Sequence, residues 1–384
     1  TIRLLDEYRG KGSLEKGVRI EKGKGLLRAR ISDDNALPAE SNKRDPDNII
    51  LACALNEAND GKRVVVVSRD INLRVRCDAL GVACEGYDIN QVVNDRSELY
   101  TGFERYLVDD QTIDHFYQGE KIFVDKEEKL LFPNQFVMLI SNCNEKKTAL
   151  ARFLAYNKPL VKAGIHKHGV WDITPRNKEQ SFAIDLLLDP TIPIVSLIGA
   201  AGCGKTLLAV AAGLEQVLEE GSQEPIYNKL VVSRPIMPMG RDIGYLPGTM
   251  EEKMAPWLAP VQDNLKFLMG NDKVLLEMYA EKGIIEIEAL TYIRGRSIAN
   301  CFIIIDEAQN LSVHELKTII TRVGEGTKIV LTGDIEQIDT VYLDATSNGL
   351  SYAVEKFKEH DLAGHVSLQK GERSKVATLA AKVL

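Results

Sequence analysis

Apolar residues fall into two spacings along this chain, and the alternation between them lays out its elements. Continuous apolar runs at 64–67, 192–198, 229–233, 284–290, 301–305, 328–331 and 365–368 read as strands. Between them the spacing turns helical: Leu207, Leu208, Val210, Ala211, Leu214, Val217 and Leu218 share one face of a segment closing at Gly221. Residues 47–59 and 72–80 are helical in the same way, the second closed by Gly81 and followed by a short strand at 82–84. Strands alternating with helices mean an α/β fold, and strands apolar throughout mean a parallel sheet buried on both faces. From Phe103 to Ala163 the pattern breaks into short alternating runs, 121–124 and 135–140, which predicts a small β-rich linking module. The organisation expected is therefore an α/β domain over 1–102, the linking module over 103–168 and a parallel-sheet domain over 169–384. Residues 2–9 read as mid-helix at once and the chain opens on Thr1 rather than Met, which predicts that an amino-terminal piece is absent.

The run at 192–198 delivers Gly199-Ala200-Ala201-Gly202-Cys203-Gly204-Lys205-Thr206, followed by the helical segment that starts with Leu207. This matches G-x-x-x-x-G-K-[ST] at every fixed position, in the strand–loop–helix setting that the chemistry requires. Glycines let backbone N–H groups converge on phosphate oxygens, and the helix N-terminus adds positive potential. Lys205 is placed for the β- and γ-phosphates, and the Thr206 hydroxyl for Mg²⁺. The stretch is a nucleoside-triphosphate site, with ATP and Mg²⁺ as its expected ligands.

A second strand, Phe302-Ile-Ile-Ile, ends in Asp306-Glu307. Asp306 is placed to hold Mg²⁺ and Glu307 to polarise the attacking water. Further on, Leu331-Thr-Gly333-Asp334-Ile-Glu-Gln337 ends the next strand, where the Gln337 amide can sense the γ-phosphate. That arrangement resembles motif III of superfamily-one helicases. Pro175-Arg-Asn177-Lys-Glu-Gln180 resembles the helicase segment that reads adenine, with the Gln180 amide on the base edge; the same residues also suit a polar helix start.

Composition changes the picture little. The 384 residues give room for two or three domains, with 45% apolar residues for their cores. No apolar run is long enough for a membrane span and no signal peptide opens the chain, so a cytoplasmic protein with no membrane partner is expected. Six scattered cysteines without a C-x-x-C pair read as reduced thiols. A net charge of −7 gives no global pull toward nucleic acid, so any RNA or DNA contact must use a local basic surface. Arg234 and Arg241, in the Gly/Pro-rich loop 234–248, are candidates, and Arg294 and Arg296 add two guanidiniums that suit RNA phosphate and ATP phosphate alike.

Asp47 at a helix start and Asp70 just past a strand's carboxyl end form a possible carboxylate pair for Mg²⁺ or Mn²⁺, although Asp is equally the preferred N-cap residue. Asp47-Asn-Ile-Ile-Leu-Ala-Cys-Ala and Val66-Val-Ser-Arg-Asp70-Ile-Asn-Leu-Arg resemble the second half of a PIN nuclease domain. The resemblance implies metal-dependent RNA cleavage, places Asp47 and Asp70 on the third and fourth acidic positions, and puts the first two ahead of Thr1. In the last part of the chain, Pro175-Arg-Asn, Ser233-Arg-Pro, Gly244-Tyr-Leu-Pro-Gly, Arg294-Gly-Arg, Asp306-Glu-Ala-Gln-Asn and Gly371-Glu-Arg373-Ser resemble, in order, the PhoH family in its fused PIN–PhoH form. That resemblance implies ATP-dependent RNA unwinding coupled to RNA cleavage by a cytoplasmic homo-oligomer similar to a hexamer. About fifty residues follow Gln337, too few for a second RecA-like lobe, so Arg373 is expected to reach the γ-phosphate of a neighbouring subunit in a ring. The alternatives are a regulatory or remodelling ATPase with a catalytically silent PIN scaffold, and a small-molecule kinase.

Overall fold

The six apolar runs read as strands from residue 192 onward lie side by side in one sheet. They are β9 (Ile194–Gly199), β10 (Lys229–Arg234), β11 (Ile285–Ala289), β12 (Cys301–Ile305), β13 (Lys328–Gly333) and β14 (Ala363–Leu368), in the order β11-β10-β12-β13-β9-β14. Every pairing is parallel, as continuous apolar strands demand. This is a computed structural model that describes the whole chain except residues 1, 22, 31–44, 69, 87–90, 94, 165–168, 219–223, 236–249, 291–297, 341–342 and 370–384. It divides into two compact units, Thr1–Ile89 and Asn90–Leu384.

All five residues of β12 and all six of β13 are buried, because helices cover both faces of the sheet. One face packs on α5 (Lys178–Leu188), α6 (Lys205–Val217) and α7 (Met250–Leu268), with Phe182, Leu208, Leu214, Val232 and Phe302 at its centre. The other packs on helices Val313–Ile320 and Gly349–Phe357 around Leu316, Leu331 and Leu350. Gly213 lets α6 sit close: a Cβ there would stand 2.7 Å from Leu230 and 3.1 Å from Phe302. The strand ends at the carboxyl edge, where α/β sheets bind ligands, therefore carry the sequence-predicted residues.

Ahead of this sheet in the same unit stand β5 (Phe103–Val108), β6 (Gln135–Ser141), β7 (Thr148–Phe153) and β8 (Val161–Lys162), forming a four-stranded sheet in that order. The first pair is parallel, joined through α4 (Asp110–Gln118), and the other two are antiparallel. The strand expected at 121–124 is not formed. Val124 is buried while Phe123 is 54% exposed, so the alternation is real but belongs to an irregular segment held by the Ile122 carbonyl, which accepts from the Leu160 N–H at 2.7 Å.

The first unit holds α1 (Ile2–Lys11), the antiparallel pair β1 (Val18–Arg19) and β2 (Leu26–Leu27), α2 (Pro46–Asn59), and β3 (Val65–Val67), α3 (Ile71–Ala79) and β4 (Ala83–Glu85). Strands β3 and β4 pair in parallel across α3, and Leu51, Val66, Leu73, Cys77 and Val82 form the core. Among the described residues no helix is long and apolar enough to cross a membrane, and all six cysteines are free thiols.

Candidate nucleotide site

The glycine loop follows β9 directly, and α6 begins on Lys205. Gly202 (φ 80°) and Gly204 (φ 91°) occupy the left-handed region, which turns the chain back into the helix without a Cβ penalty. Gly204 is the N-cap, and no side chain caps the first amides of α6. At Gly199 a Cβ would lie 2.4 Å from the Leu368 carbonyl, so β14 leaves room for glycine only. A wide turn ending in uncapped helical N–H groups is a fit for phosphate oxygens. Lys205 is buried and its ammonium donates to the carbonyls of Gly199 at 2.5 Å and Ala200 at 3.1 Å. Cys203 is buried behind the loop, and burial pushes its thiol up against the opposing pull of the Lys205 charge.

The acidic strand end meets this loop. The Thr206 hydroxyl donates to Oδ1 of Asp306 at 2.8 Å, and the Thr332 hydroxyl donates to the same oxygen at 2.6 Å. A hydroxyl beside a carboxylate at the mouth of a phosphate cradle is a hard-oxygen donor set that suits Mg²⁺. Glu307, next in the chain, adopts a left-handed backbone (φ 54°), which lifts its side chain off the strand line. Its Oε1 lies 3.3 Å from the guanidinium of Arg234, and its Oε2 accepts from the Gln309 amide at 2.6 Å.

Two residues that sequence reasoning passed over complete the frame. Oδ2 of Asp334 accepts from the Ala201 N–H at 2.9 Å, tying the end of β13 to the glycine loop. Gln309, fully buried, donates to the Gln337 carbonyl at 2.8 Å and accepts from the Asp334 N–H at 3.1 Å. Both lie inside motifs quoted for their neighbours, Asp306-Glu-Ala-Gln-Asn and Gly333-Asp-x-x-Gln, and polar residues at strand ends were the available signal.

Asn177 caps α5, its side chain accepting from the Gln180 N–H at 2.9 Å. The Gln180 amide is bonded at both ends, accepting from the Arg176 N–H at 2.8 Å and donating to the Cys203 carbonyl at 3.1 Å. It thus braces the loop from α5. Gln337 is exposed, and its N–H donates to the Asp334 carbonyl at 3.0 Å. Arg234 ends β10, while Arg241, Arg294, Arg296 and Arg373 lie outside the described residues.

In the first unit, Asp45 rather than Asp47 caps α2, accepting from the Asp47 N–H at 3.1 Å. Arg76 of α3 donates to Asp45 at 3.1 Å and lies 3.8 Å from Asp47; its hydrogen bond holds the Asp45 carboxyl below the usual range. Asp70 caps α3, its Oδ1 accepting from Asn72 at 2.8 Å and Leu73 at 3.3 Å. Among the described residues no group of three or more His, Cys, Asp or Glu side chains is placed to hold a metal.

A family model described as "PhoH-like protein" matches residues 172–383, and one described as "PIN domain" matches residues 3–88. Protein PhoH2 of Bacillus subtilis is 45% identical over 393 residues, covering 100% of this chain and 88% of that protein. Protein PhoH2 of Mycolicibacterium smegmatis is 38% identical over 389 residues, covering 100% of this chain and 85% of that protein. Among solved structures, the UvsW helicase from bacteriophage T4 aligns at 12% identity and a TM-score of 0.31, covering 78% of this chain and 77% of that one.

Proposed function

The chain belongs to the PhoH family and carries a PIN domain in its amino-terminal part, and from that premise we propose that it is an RNA-stimulated ATPase that moves single-stranded RNA toward the PIN domain for metal-dependent cleavage. The observation that carries the ATPase reading is the contact of Thr206 with Asp306 at the carboxyl edge of the sheet, with Glu307 adjacent. Bound Mg²⁺ would neutralise charge on the β- and γ-phosphate oxygens. Thr206 and Asp306 would hold it. Lys205 and the amides of the glycine loop bind and orient the phosphates, and Glu307 takes the proton of the attacking water. Gln337, whose main-chain carbonyl accepts from the same Gln309 that holds Glu307, would pass a change at the γ-phosphate on to bound RNA. RNA contact falls to Arg234 and to Arg241, Arg294 and Arg296. Arg373 acts in trans, within a cytoplasmic homo-oligomeric ring.

The test is ATP turnover with and without single-stranded RNA, alongside release of fragments from an end-labelled RNA in Mg²⁺ or Mn²⁺. Stimulated turnover together with cleavage supports the proposal, and turnover indifferent to RNA overturns it.

A second reading, a remodelling ATPase whose PIN domain is a silent scaffold, is favoured by one specific observation. Asp70 spends Oδ1 on two backbone amides and Asp47 faces Arg76, so both carboxylates already have structural partners. RNA-stimulated turnover without any cleavage would select this reading.

A further inference from the structure

Glu307 is the residue expected to act on water, yet both of its carboxylate oxygens have partners: the Arg234 guanidinium stands 3.3 Å from Oε1 as an ion pair, and the Gln309 amide donates to Oε2. Neither partner is adventitious. Arg234 is the last residue of β10, whose preceding residue Ser233 stands opposite Ile305 of β12, so adjacent strand ends present the two side chains to each other. Gln309 is fully buried and fixed by its further bonds to Gln337 and Asp334. The Glu307 and Arg234 side chains are 30% and 22% exposed, which leaves the pair open at the sheet edge where ligands arrive. A carboxylate pinned between a guanidinium and an amide must leave one partner to turn toward an attacking water. A guanidinium, in contrast, pairs with phosphate by the same fork geometry that it offers a carboxylate.

Building on the RNA-stimulated ATPase reading, we propose that Arg234 and Gln309 clamp Glu307 in the RNA-free protein, and that a phosphodiester of single-stranded RNA draws Arg234 away and frees Oε1 for catalysis. Arg234 is then a positioning residue as well as an RNA contact. The exchange moves no proton: the guanidinium leaves one anion for another. In the step that follows, the freed carboxylate takes a proton from water as the water oxygen bonds to the γ-phosphorus. The bond from that phosphorus to the bridging oxygen breaks, and its electron pair leaves with ADP.

The clamp makes RNA binding and the carboxylate compete for one guanidinium, which can be measured with no nucleotide present. Fluorescence anisotropy of a labelled single-stranded RNA oligonucleotide is the readout. Glu307→Gln frees Arg234 and is expected to tighten RNA binding by roughly three- to five-fold, the scale of a partly exposed ion pair. In an Arg234→Met background the same change is expected to give no gain. A gain of equal size in both backgrounds would mean simple removal of negative charge and would overturn the clamp, as would no gain in either. In ATP turnover, Arg234→Met is expected to raise the RNA-free rate several-fold and lose most of the stimulation. An RNA-free rate that is unchanged or lowered in Arg234→Met, with wild-type stimulation present, sinks the clamp alone. A wild type that neither binds RNA nor responds to it sinks the proposed function, and the release step with it.

Discussion

The hydroxyl of Thr206 donates to the carboxylate of Asp306 at 2.8 Å across a separation of 100 positions in sequence. That bond joins the glycine loop to the acidic end of β12. Because Thr332 donates to the same oxygen at 2.6 Å, the start of α6 and the ends of β12 and β13 meet at one carboxylate. The parts of this edge are expected to respond to substitution in separable ways.

Lys205→Ala removes the one ammonium inside the loop. Affinity for ATP is expected to fall by at least roughly 100-fold, since the lysine holds charge in both ground and transition states. Glu307→Gln is expected to bind ATP near normally and barely hydrolyse it. Titration with a fluorescent ATP analogue, beside single-turnover hydrolysis, checks both; full turnover in Glu307→Gln would remove Glu307 from the catalytic role.

Gly333→Ala acts from one step further out. The added methyl would stand 2.5 Å from Oε1 of Gln309 and 2.6 Å from Leu350, so Gln309 must shift, and with it Glu307. A roughly 10- to 100-fold drop in kcat is expected, as displacements of a catalytic group by about 1 Å produce. ATP affinity is expected to stay close to wild type. A variant with normal kcat would show that Gln309 does not position Glu307.

Much of this edge was legible in the sequence because its rules are local. Backbone amides must converge after β9, which demands glycines at fixed places, and Asp306 ends an unbroken apolar strand. What was not legible is set by which strands become neighbours. Nothing in Ser233-Arg234-Pro says that β10 will lie against β12, so the Arg234–Glu307 pair emerges only from the sheet order. In the first unit the difficulty was competition between equivalent residues: Asp45 and Asp47 both suit a helix start, and the Pro46 that follows Asp45 fits the first helical position and selects Asp45 as the cap. The run at 121–124 failed for a third reason, since burial of alternate residues does not require a paired strand.

Asp70 allows its structural and chemical roles to be separated. Asn caps a helix about as well as Asp, whereas Ala does not. Thermal or denaturant unfolding is expected to show Asp70→Ala less stable by about 1 kcal/mol and Asp70→Asn nearly unchanged. If the carboxylate also serves a metal, Asp70→Asn loses RNA cleavage while keeping that stability; undiminished cleavage would exclude it from the nuclease site.

His365 sets an acid limit on the parallel-sheet domain. It is buried on β14 beside β9, its Nδ1 3.0 Å from the Ser196 hydroxyl and its Nε2 3.0 Å from the Ser367 hydroxyl. Burial pushes its imidazole down from 6.5 to about 3, outweighing hydrogen bonds that favour the charged form. The native state therefore binds fewer protons than the unfolded chain between those values. Its contribution is whole above pH 6.5 and is lost as the pH falls toward 3. Going from pH 7 to pH 5, the wild type is expected to lose on the order of 2 kcal/mol relative to His365→Gln in denaturant melts. Parallel pH profiles for the two proteins would contradict this assignment.

Whether the ATPase edge answers to RNA is measured most directly by the steady-state rate of ATP hydrolysis against single-stranded RNA concentration. Wild-type turnover is expected to rise several-fold and saturate, with no response in Glu307→Gln. A wild-type rate flat across the whole RNA titration, or a Glu307→Gln protein that hydrolyses ATP like the wild type, would contradict the proposed function.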